Sequence, residues 1–535
     1  MRLRLSKRSA IWRRTDAYAR DVYMHYYAAR DTEYVTMQEM TIIELQEKMN
    51  SGEYSARSIT EAYLERIEAL DKQGPEVNAI LELNPDALAI ADALDAERIA
   101  NGPRGLLHGI PVLLKDNIDT ADRMTTTAGS LALTGSIPPR DAYLSQRLRE
   151  AGAVILGKTN LSEWANFRSS HSTSGWSSRG GQTRNPYALD RSPCGSSSGS
   201  AVAVAANLCA VAIGTETDGS IICPASANSI VGVKPTLGLV SRSGIIPIAH
   251  SQDTAGPLTR TVSDAAVLLG AFTGLDPLDP ATRESRGKSH TDYTQFLDPD
   301  GMRGARIGVA RAFFGFNEKV DQLMEVCIQV MKHLGAEMVD PADVLTADQL
   351  EDTELEVLLY EFKTDLNGYL ASLGPNAPVK SLEDVIVFNE RNRDEVMPFF
   401  GQDIFLKAKE KGPLTSQAYI RALRTNHRLS RVEGIDATMR QHQLDAILAP
   451  SGGPAWLIDL VNGDHHSGGS SSPAAVAGYP NVTVPAGYVN GLPVGISFFS
   501  RAYQEPMLIK LAFAFEGATK VRRPPEFLPS VKSGI

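Results

Sequence analysis

The run Ile110-Pro111-Val112-Leu113-Leu114 constrains the fold more than any other feature of this chain. Five apolar residues without alternation describe a strand buried on both faces, and such a strand needs a covering layer on each side. Helical patterns supply those layers. Ser58 and Glu61 are spaced as a capping box opening a helix over residues 58–71, with Ile59, Tyr63, Ile67 and Leu70 on one face. Asn84-Pro85-Asp86 opens a second helix that runs to Ala100, with proline in its first turn. A third, residues 142–151, stops at Gly152 and leads into a strand at 153–156. Residues 201–209 form a small-residue helix or buried segment, and 305–310 read as a strand. Val320, Leu323, Met324, Cys327, Val330, Met331 and Leu334 share a helical stripe closed by Gly335. Residues 340–440 are charged and helical in pattern. Strand patterns return at 446–448, 482–484 and 494–499, before a last helix near 507–516. Strands alternating with helices predict an α/β layered fold.

Composition narrows the function. The 535 residues are 43% hydrophobic, enough for a sizeable core and too much for a disordered or fibrous chain. Length alone would divide them into roughly three or four domains of about 150 residues, yet no repeat or proline-rich linker cuts the chain. The balance of 53 basic against 63 acidic residues, net −10, with 7% aromatics, is poorly suited to phosphate backbones, so no nucleic-acid partner is expected. The longest low-polarity stretch, residues 201–213, is interrupted by Asn207 and is too short for a membrane span of about 20 residues. Arg2, Arg4, Lys7, Arg8, Arg13 and Arg14 precede the first acid, Asp16, but no apolar run follows as a secretory signal requires. Residues 1–39 therefore read as a basic extension, with Met37 or Met40 as an alternative start, and the expected location is the cytoplasm. Cys194, Cys209, Cys223 and Cys327 have neither CxxC spacing nor a dense framework. They are read as neither a disulfide scaffold nor a zinc site and suit a reducing compartment, and three of them lie in a small-residue region where a buried Cys acts as a small hydrophobe.

Three motifs compete for the chemistry. Gly152-Ala153-Val154-Ile155-Leu156-Gly157-Lys158-Thr159 satisfies the P-loop pattern, but its central residues are the predicted strand itself, where a phosphate cradle needs a loop. Gly195-Ser196-Ser197-Ser198-Gly199 matches the GxSxG elbow of an α/β-hydrolase with Ser197 as nucleophile. That elbow needs an apolar strand before it, and a polar segment with Pro186 and Pro193 stands there. The third is a constellation of Lys115, the serines of 196–200, and Gly214-Thr215-Glu216-Thr217-Asp218-Gly219-Ser220. Lys115 ends the apolar run, where burial disfavours its ammonium; bringing it near pH 7 implies roughly 4–5 kcal/mol of environmental cost. A neutral lysine can take a proton from a serine. The blander alternative is an ion pair with the adjacent Asp116. Gly219 beside Ser220 allows backbone N–H groups to converge on an oxyanion.

Gly109-Ile110-Pro111-Val112-Leu113-Leu114-Lys115-Asp116-Asn117, the serine cluster and residues 214–220 resemble the amidase signature family. The likeness continues in Gly232-Val233-Lys234-Pro235-Thr236, Asp253-Thr254-Ala255-Gly256-Pro257, Val484-Pro485-Ala486-Gly487 and Gly491-Leu492-Pro493-Val494-Gly495, covering nearly the whole chain from about residue 40. The resemblance implies a single large α/β domain, residues 40–530, in which helices cover a central mixed β-sheet and residues 340–440 form a mostly helical, substrate-side insertion. It implies amide hydrolysis through an acyl-enzyme, with Ser220 as nucleophile, Ser196 as a bridging serine after a cis peptide bond, and Lys115 as base. The N–H groups of Thr217, Asp218, Gly219 and Ser220 would be the oxyanion hole, and Ser197 and Asp116 would support the reacting groups. No cofactor or metal is implied.

The chain also departs from the family pattern. Asp218-Gly219 stands where many members have two glycines, and Ser198 where glycine is common. Asp218 puts a carboxylate beside the oxyanion position, harmful unless it is turned away or paired. Ser192-Pro193-Cys194-Gly195, Asp218-Gly219-Ser220 and Gly452-Gly453-Pro454-Ala455-Trp456 look most like the bacterial peptide-amidase branch, which implies a small-molecule or peptide amide substrate. Trp164, Trp176, Trp456 and His465 are candidate substrate contacts. Two alternatives stay open: the catalytic subunit of an amidotransferase that needs a partner chain, and an α/β-hydrolase using Ser197. Nothing in the sequence sets the oligomeric state.

Overall fold

The computed structural model describes residues 37–531, so most of the expected basic extension lies outside the described residues. From Thr41 onward the chain forms one compact unit. Its centre is an eleven-stranded mixed sheet: β1 (Ile80–Leu83), β2 (Pro111–Lys115), β3 (Val154–Thr159), β4 (Val211–Glu216), β5 (Val231–Lys234), β6 (Thr254–Thr259), β7 (Arg306–Val309), β8 (Glu337–Val339), β9 (Ala446–Pro450), β10 (Asn481–Val489) and β11 (Leu492–Phe499). The spatial order is β1-β3-β2-β4-β6-β5-β10-β11-β9-β7-β8. β2 runs parallel to both β3 and β4, whereas β4–β6, β5–β6, β5–β10, β10–β11 and β9–β11 are antiparallel. Every residue of β2, β3 and β4 is buried, as the unbroken apolar run requires.

Local sequence sets where most elements begin, with two departures from expectation. The first expected helix spans Ala56–Ile67 and is capped by Ser55, not Ser58; Ser58 is the reciprocal partner of the capping box. A π-helical turn, Glu68–Lys72, extends it. Strands β1, β4, β5, β6 and β8 are not among those expected from the sequence; in β4 and β6, Gly214 and then Gly256-Pro257 discourage a strand locally. The sheet needs that glycine: a Cβ on Gly256 would lie 1.9 Å from Val233 O of the neighbouring strand.

Three helices matter for the site: α1 (Ser198–Ala205), α2 (Ile222–Ala227) and α3 (Glu351–Ser372). α3 is the longest element of the charged region, which also contains helices Leu382–Arg391, Asp403–Lys409 and Gln417–His427. Its apolar face joins the body through Leu358, Phe362 and Leu366, which form one cluster with Phe405, Trp164 and Phe167. Among the described residues, no helix is long and apolar enough to cross a membrane.

Candidate active site

Strand register brings Lys115 to the reacting groups. Leu114 of β2 pairs with Ile213 of β4, so the next residue of β2 reaches Thr215, two residues along β4. Lys115 Nζ lies 2.8 Å from Thr215 Oγ1, 3.3 Å from Thr215 O and 2.8 Å from Ser196 Oγ. Complete burial lowers its pKa from 10.5 to about 7, against the opposing pull of Asp253 and Glu216. A neutral amine has two N–H donors and one lone pair. The two Thr215 oxygens accept the donors, which leaves the lone pair facing the Ser196 hydroxyl. Asn117 Nδ2 also donates to Thr215 Oγ1, at 2.9 Å.

Asp116 does not form the ion pair that its position suggests. Its carboxylate accepts from Thr127 N and Gly129 N at 3.2 Å each and from the Thr127 hydroxyl, so it folds the 127–129 loop instead. Successive residues of a strand point to opposite faces, and the two side chains therefore separate.

The serine cluster is a built element rather than a flexible linker. Ser196, Ser197, Ser198 and Ser200 are fully buried. Ser196 follows a cis peptide bond from Gly195, and its carbonyl accepts from Ser162 N at 3.1 Å. Ser197 Oγ donates to Thr215 O at 3.0 Å, and Ser200 Oγ donates to Ile213 O at 3.1 Å, so α1 is pinned to β4. This geometry removes the hydrolase elbow: the Ser197 hydroxyl is occupied by the sheet backbone, and no strand precedes it. The P-loop match dissolves likewise. Lys158 lies within β3, buried, donating to Ile118 O at 2.7 Å and Thr126 Oγ1 at 2.8 Å.

Residues 217–220 form a turn between β4 and α2. Glu216 accepts from Ile221 N at 2.7 Å and Ile222 N at 3.0 Å, Thr217 Oγ1 donates to Asp253 at 2.6 Å, and Gly219 has φ +77°. Ser197 N donates to Ser220 O at 3.2 Å, which ties the turn to the serine cluster. Among the described residues, the N–H groups of Thr217, Asp218, Gly219 and Ser220 donate to no acceptor, and Ser220 Oγ has no hydrogen-bond partner. Free N–H groups beside a free hydroxyl, a buried serine and a lysine with its pKa near neutrality are the parts that acyl transfer uses.

Comparison with known proteins agrees. The profile of the Amidase family matches residues 58–509. The chain belongs to the amidase family. It is an amide-hydrolysing enzyme built on a single large α/β domain. A probable amidase of Arabidopsis thaliana is 44% identical over 502 residues, covering 92% of each chain. The crystal structure of native peptide amidase from Stenotrophomonas maltophilia superposes with a TM-score of 0.87 at 52% identity, covering 92% of this chain and 99% of that one. One subunit of the glutamyl-tRNA(Gln) amidotransferase from Caldanaerobacter subterraneus is 34% identical over 510 residues, 91% of this chain and 98% of its own.

In this amidase a cavity of about 250 Å³ opens at Asp218 and Gly219. Trp456 lines it, its Nε1 donating to Asp464 at 3.0 Å and its ring meeting His466 edge-on at 5.4 Å. The other expected contacts lie elsewhere. Trp164 is buried in the core and meets Phe405 edge-on. Trp176 packs on Phe399 and Phe400, where Arg168 also stacks. His465 is exposed and 3.2 Å from Asp459, so the neighbouring His466 takes the cavity position.

The cysteines require a correction too. Cys194 and Cys223 form a disulfide in the cavity wall, and only Cys209 and Cys327 are free. Their separation of 29 residues concealed it; the disulfide forms because the turn and the serine cluster fold against each other.

Asp218 is paired: it accepts from Ser471 Oγ, and Glu354 of α3 reaches the same turn through Gln252, whose Nε2 donates to Glu354 Oε1 at 2.8 Å and to Thr217 O at 3.2 Å. Sequence reasoning missed Glu354, Gln252, Asp464 and Ser471, all brought in from distant segments. One cluster of potential metal ligands occurs among the described residues, His250 with Glu361 and Asp365. There the imidazole is 2.8 Å from Asp365 and 3.4 Å from Glu361.

Proposed function

We propose that this amidase removes the C-terminal amide nitrogen from peptide amides, with Ser220 as nucleophile and Ser196 and Lys115 as its proton relay. The observation that carries the relay is the 2.8 Å contact between Lys115 Nζ and Ser196 Oγ, beside a turn whose Ser220 hydroxyl is free. As Ser220 Oγ attacks the amide carbonyl, its proton passes to Ser196 while the Ser196 proton passes to Lys115 Nζ. The oxyanion accepts hydrogen bonds from the N–H groups of 217–220. Lys115 then returns the proton through Ser196 to the leaving nitrogen, the C–N bond breaks, and ammonia departs. Water attacks the acyl-enzyme with its proton taken by the same relay, releasing the carboxylic acid and restoring Ser220. No step calls on a group other than these residues and water. The 52% identity to a peptide amidase over nearly the whole chain supports the substrate class. We read residues 340–440 as the substrate-side region, because α3 brings Glu354 to Gln252, whose amide also holds Thr217 O of the turn.

The test is ammonia release from an N-acetylated dipeptide amide by the purified chain and by Ser220→Ala, Lys115→Ala and Ser197→Ala. Loss of turnover in the first two, with the variants folded, is expected. A dead Ser197→Ala beside an active Ser220→Ala overturns the relay. The 34% identity to an amidotransferase component favours one second reading, in which turnover requires a partner chain. Hydrolysis by the isolated chain without ATP or tRNA excludes that requirement.

A further inference from the structure

The loop of residues 248–253 holds the oxyanion turn at two points of one residue. Thr217 Oγ1 donates to Asp253 Oδ1 at 2.6 Å, and Asp253 Oδ2 accepts from Ile248 N and Ala249 N at 2.8 Å each. The buried Gln252 donates from Nε2 to Thr217 O at 3.2 Å and to Glu354 Oε1 at 2.8 Å. A carbonyl oxygen only accepts, so the group facing Thr217 O has to be the amide nitrogen, and both of its hydrogens are used. The loop is in turn fixed to α3. Ser251 N donates to Glu361 at 2.9 Å and His250 N to Asp365 at 3.0 Å. Glu354, Glu361 and Asp365 are spaced by seven and four residues and share one face of α3. Three consecutive loop residues are thereby tied to one helix face.

The carbonyl that Gln252 holds belongs to the same peptide unit as the N–H of Asp218. The 217–218 bond is trans, so that carbonyl and that N–H point in opposite directions within one plane. Fixing one fixes the other. Asp218 lines the cavity, and its N–H donates to no acceptor among the described residues. A hydrogen bond accepted at the carbonyl also polarises the amide and strengthens its N–H as a donor. We propose that Gln252 is a positioning residue for the oxyanion hole, aiming Asp218 N–H by holding Thr217 O, while Glu354 orients the Gln252 amide from the other side. This role rests on the reading of Ser220 as nucleophile and of residues 217–220 as oxyanion donors. Without the Gln252 donor the 217–218 plane can turn about the bonds flanking it, and the N–H must be re-aimed as the oxyanion forms. That cost falls on the transition state, because the neutral substrate carbonyl asks less of the hole than the oxyanion does.

The test compares the purified full chain with Gln252→Met, Gln252→Asn and Ser220→Ala on an N-acetylated dipeptide amide. Methionine matches glutamine in length but cannot donate; asparagine keeps the amide and draws it back by one methylene. Deleting an oxyanion donor costs about 10²–10³-fold in kcat, so misaiming one is expected to cost at least about tenfold. KM should change by less than about twofold, as for a contact made only in the transition state. An N-acetylated dipeptide aldehyde gives a readout independent of turnover. Ser220 Oγ bonds to its carbonyl carbon, the C=O π pair moves onto the oxygen, and the hydroxyl proton passes to the relay, which leaves that oxygen in the oxyanion position. Its inhibition constant should rise in the same proportion as kcat/KM falls. Circular dichroism and thermal unfolding establish that each variant is folded, and Gln252→Asn carries the comparison if Gln252→Met is not. Undiminished kcat in a folded variant, a loss confined to KM, or an aldehyde affinity that does not follow kcat/KM overturns the proposal. An active Ser220→Ala refutes the nucleophile, and the role of Gln252 falls with it.

Discussion

Replacing Lys115 by methionine should separate activity from stability. The residue is fully buried, and the fall in its pKa from 10.5 to about 7 measures what the fold loses by removing the ammonium from water. At 1.36 kcal/mol for each tenfold change in protonation, that is about 5 kcal/mol. Between these two pH values the unfolded chain holds a proton that the folded protein lacks, so native stability rises with pH at about 1.36 kcal/mol per unit. Below about pH 7 both states are protonated and the full destabilisation applies; above 10.5 both are neutral and it vanishes. Methionine has no such proton. Its own fixed cost, three lost contacts to Ser196 and Thr215, does not vary with pH.

Urea unfolding of both proteins at pH 7.5 and 9.5 therefore isolates the lysine. The native protein should gain about 2.7 kcal/mol relative to Lys115→Met across those two units. In parallel, native kcat/KM should fall tenfold per unit below about pH 7 as the base becomes protonated. The variant should lose about 10²–10⁴-fold of activity at every pH. Parallel stability curves for the two proteins, or native turnover undiminished at pH 5, would refute the buried neutral base.

Gly219→Ala forces a side chain into φ +77° at a strain of roughly 1–2 kcal/mol and brings its Cβ to 3.1 Å from Ser471 Oγ, the group holding Asp218. Steady-state kinetics should show kcat reduced more than about tenfold with KM little changed, as expected when only transition-state contacts are lost. Arg168→Met should destabilise the protein by about 3–5 kcal/mol, because it strands the buried Glu163 now 3.1 Å from the guanidinium. Denaturant midpoints check this, and a loss below about 1 kcal/mol contradicts it.

Legibility followed the range of the physical signal. The run at 110–114 announced a strand buried on both faces because that burial is written in consecutive residues, and the β2 register then carries Lys115 to Thr215. The stripe from Val320 to Leu334 announced the helix Glu318–His333 for the same reason. Lys115, Ser196 and residues 217–220 could be singled out because a lysine at the end of an apolar strand and small residues at a turn are chemically conspicuous. Strands β4 and β6 were hidden, since their glycines and Pro257 oppose a strand locally and only neighbouring backbones impose it. Trp164 and Trp176 could not be told from pocket aromatics, as apolar character is the same in a core and in a cavity wall.

By itself, the sequence determined the layered α/β class, the reacting residue types and their order along the chain, all properties of short segments. Tertiary structure alone decided how those segments meet. It placed Cys194 on Cys223, turned Asp116 away from Lys115, and brought Glu354 across more than a hundred residues to Gln252. The reason is that a buried charge or thiol finds its partner by proximity in the packed chain, and proximity across such separations leaves no periodic trace in the sequence.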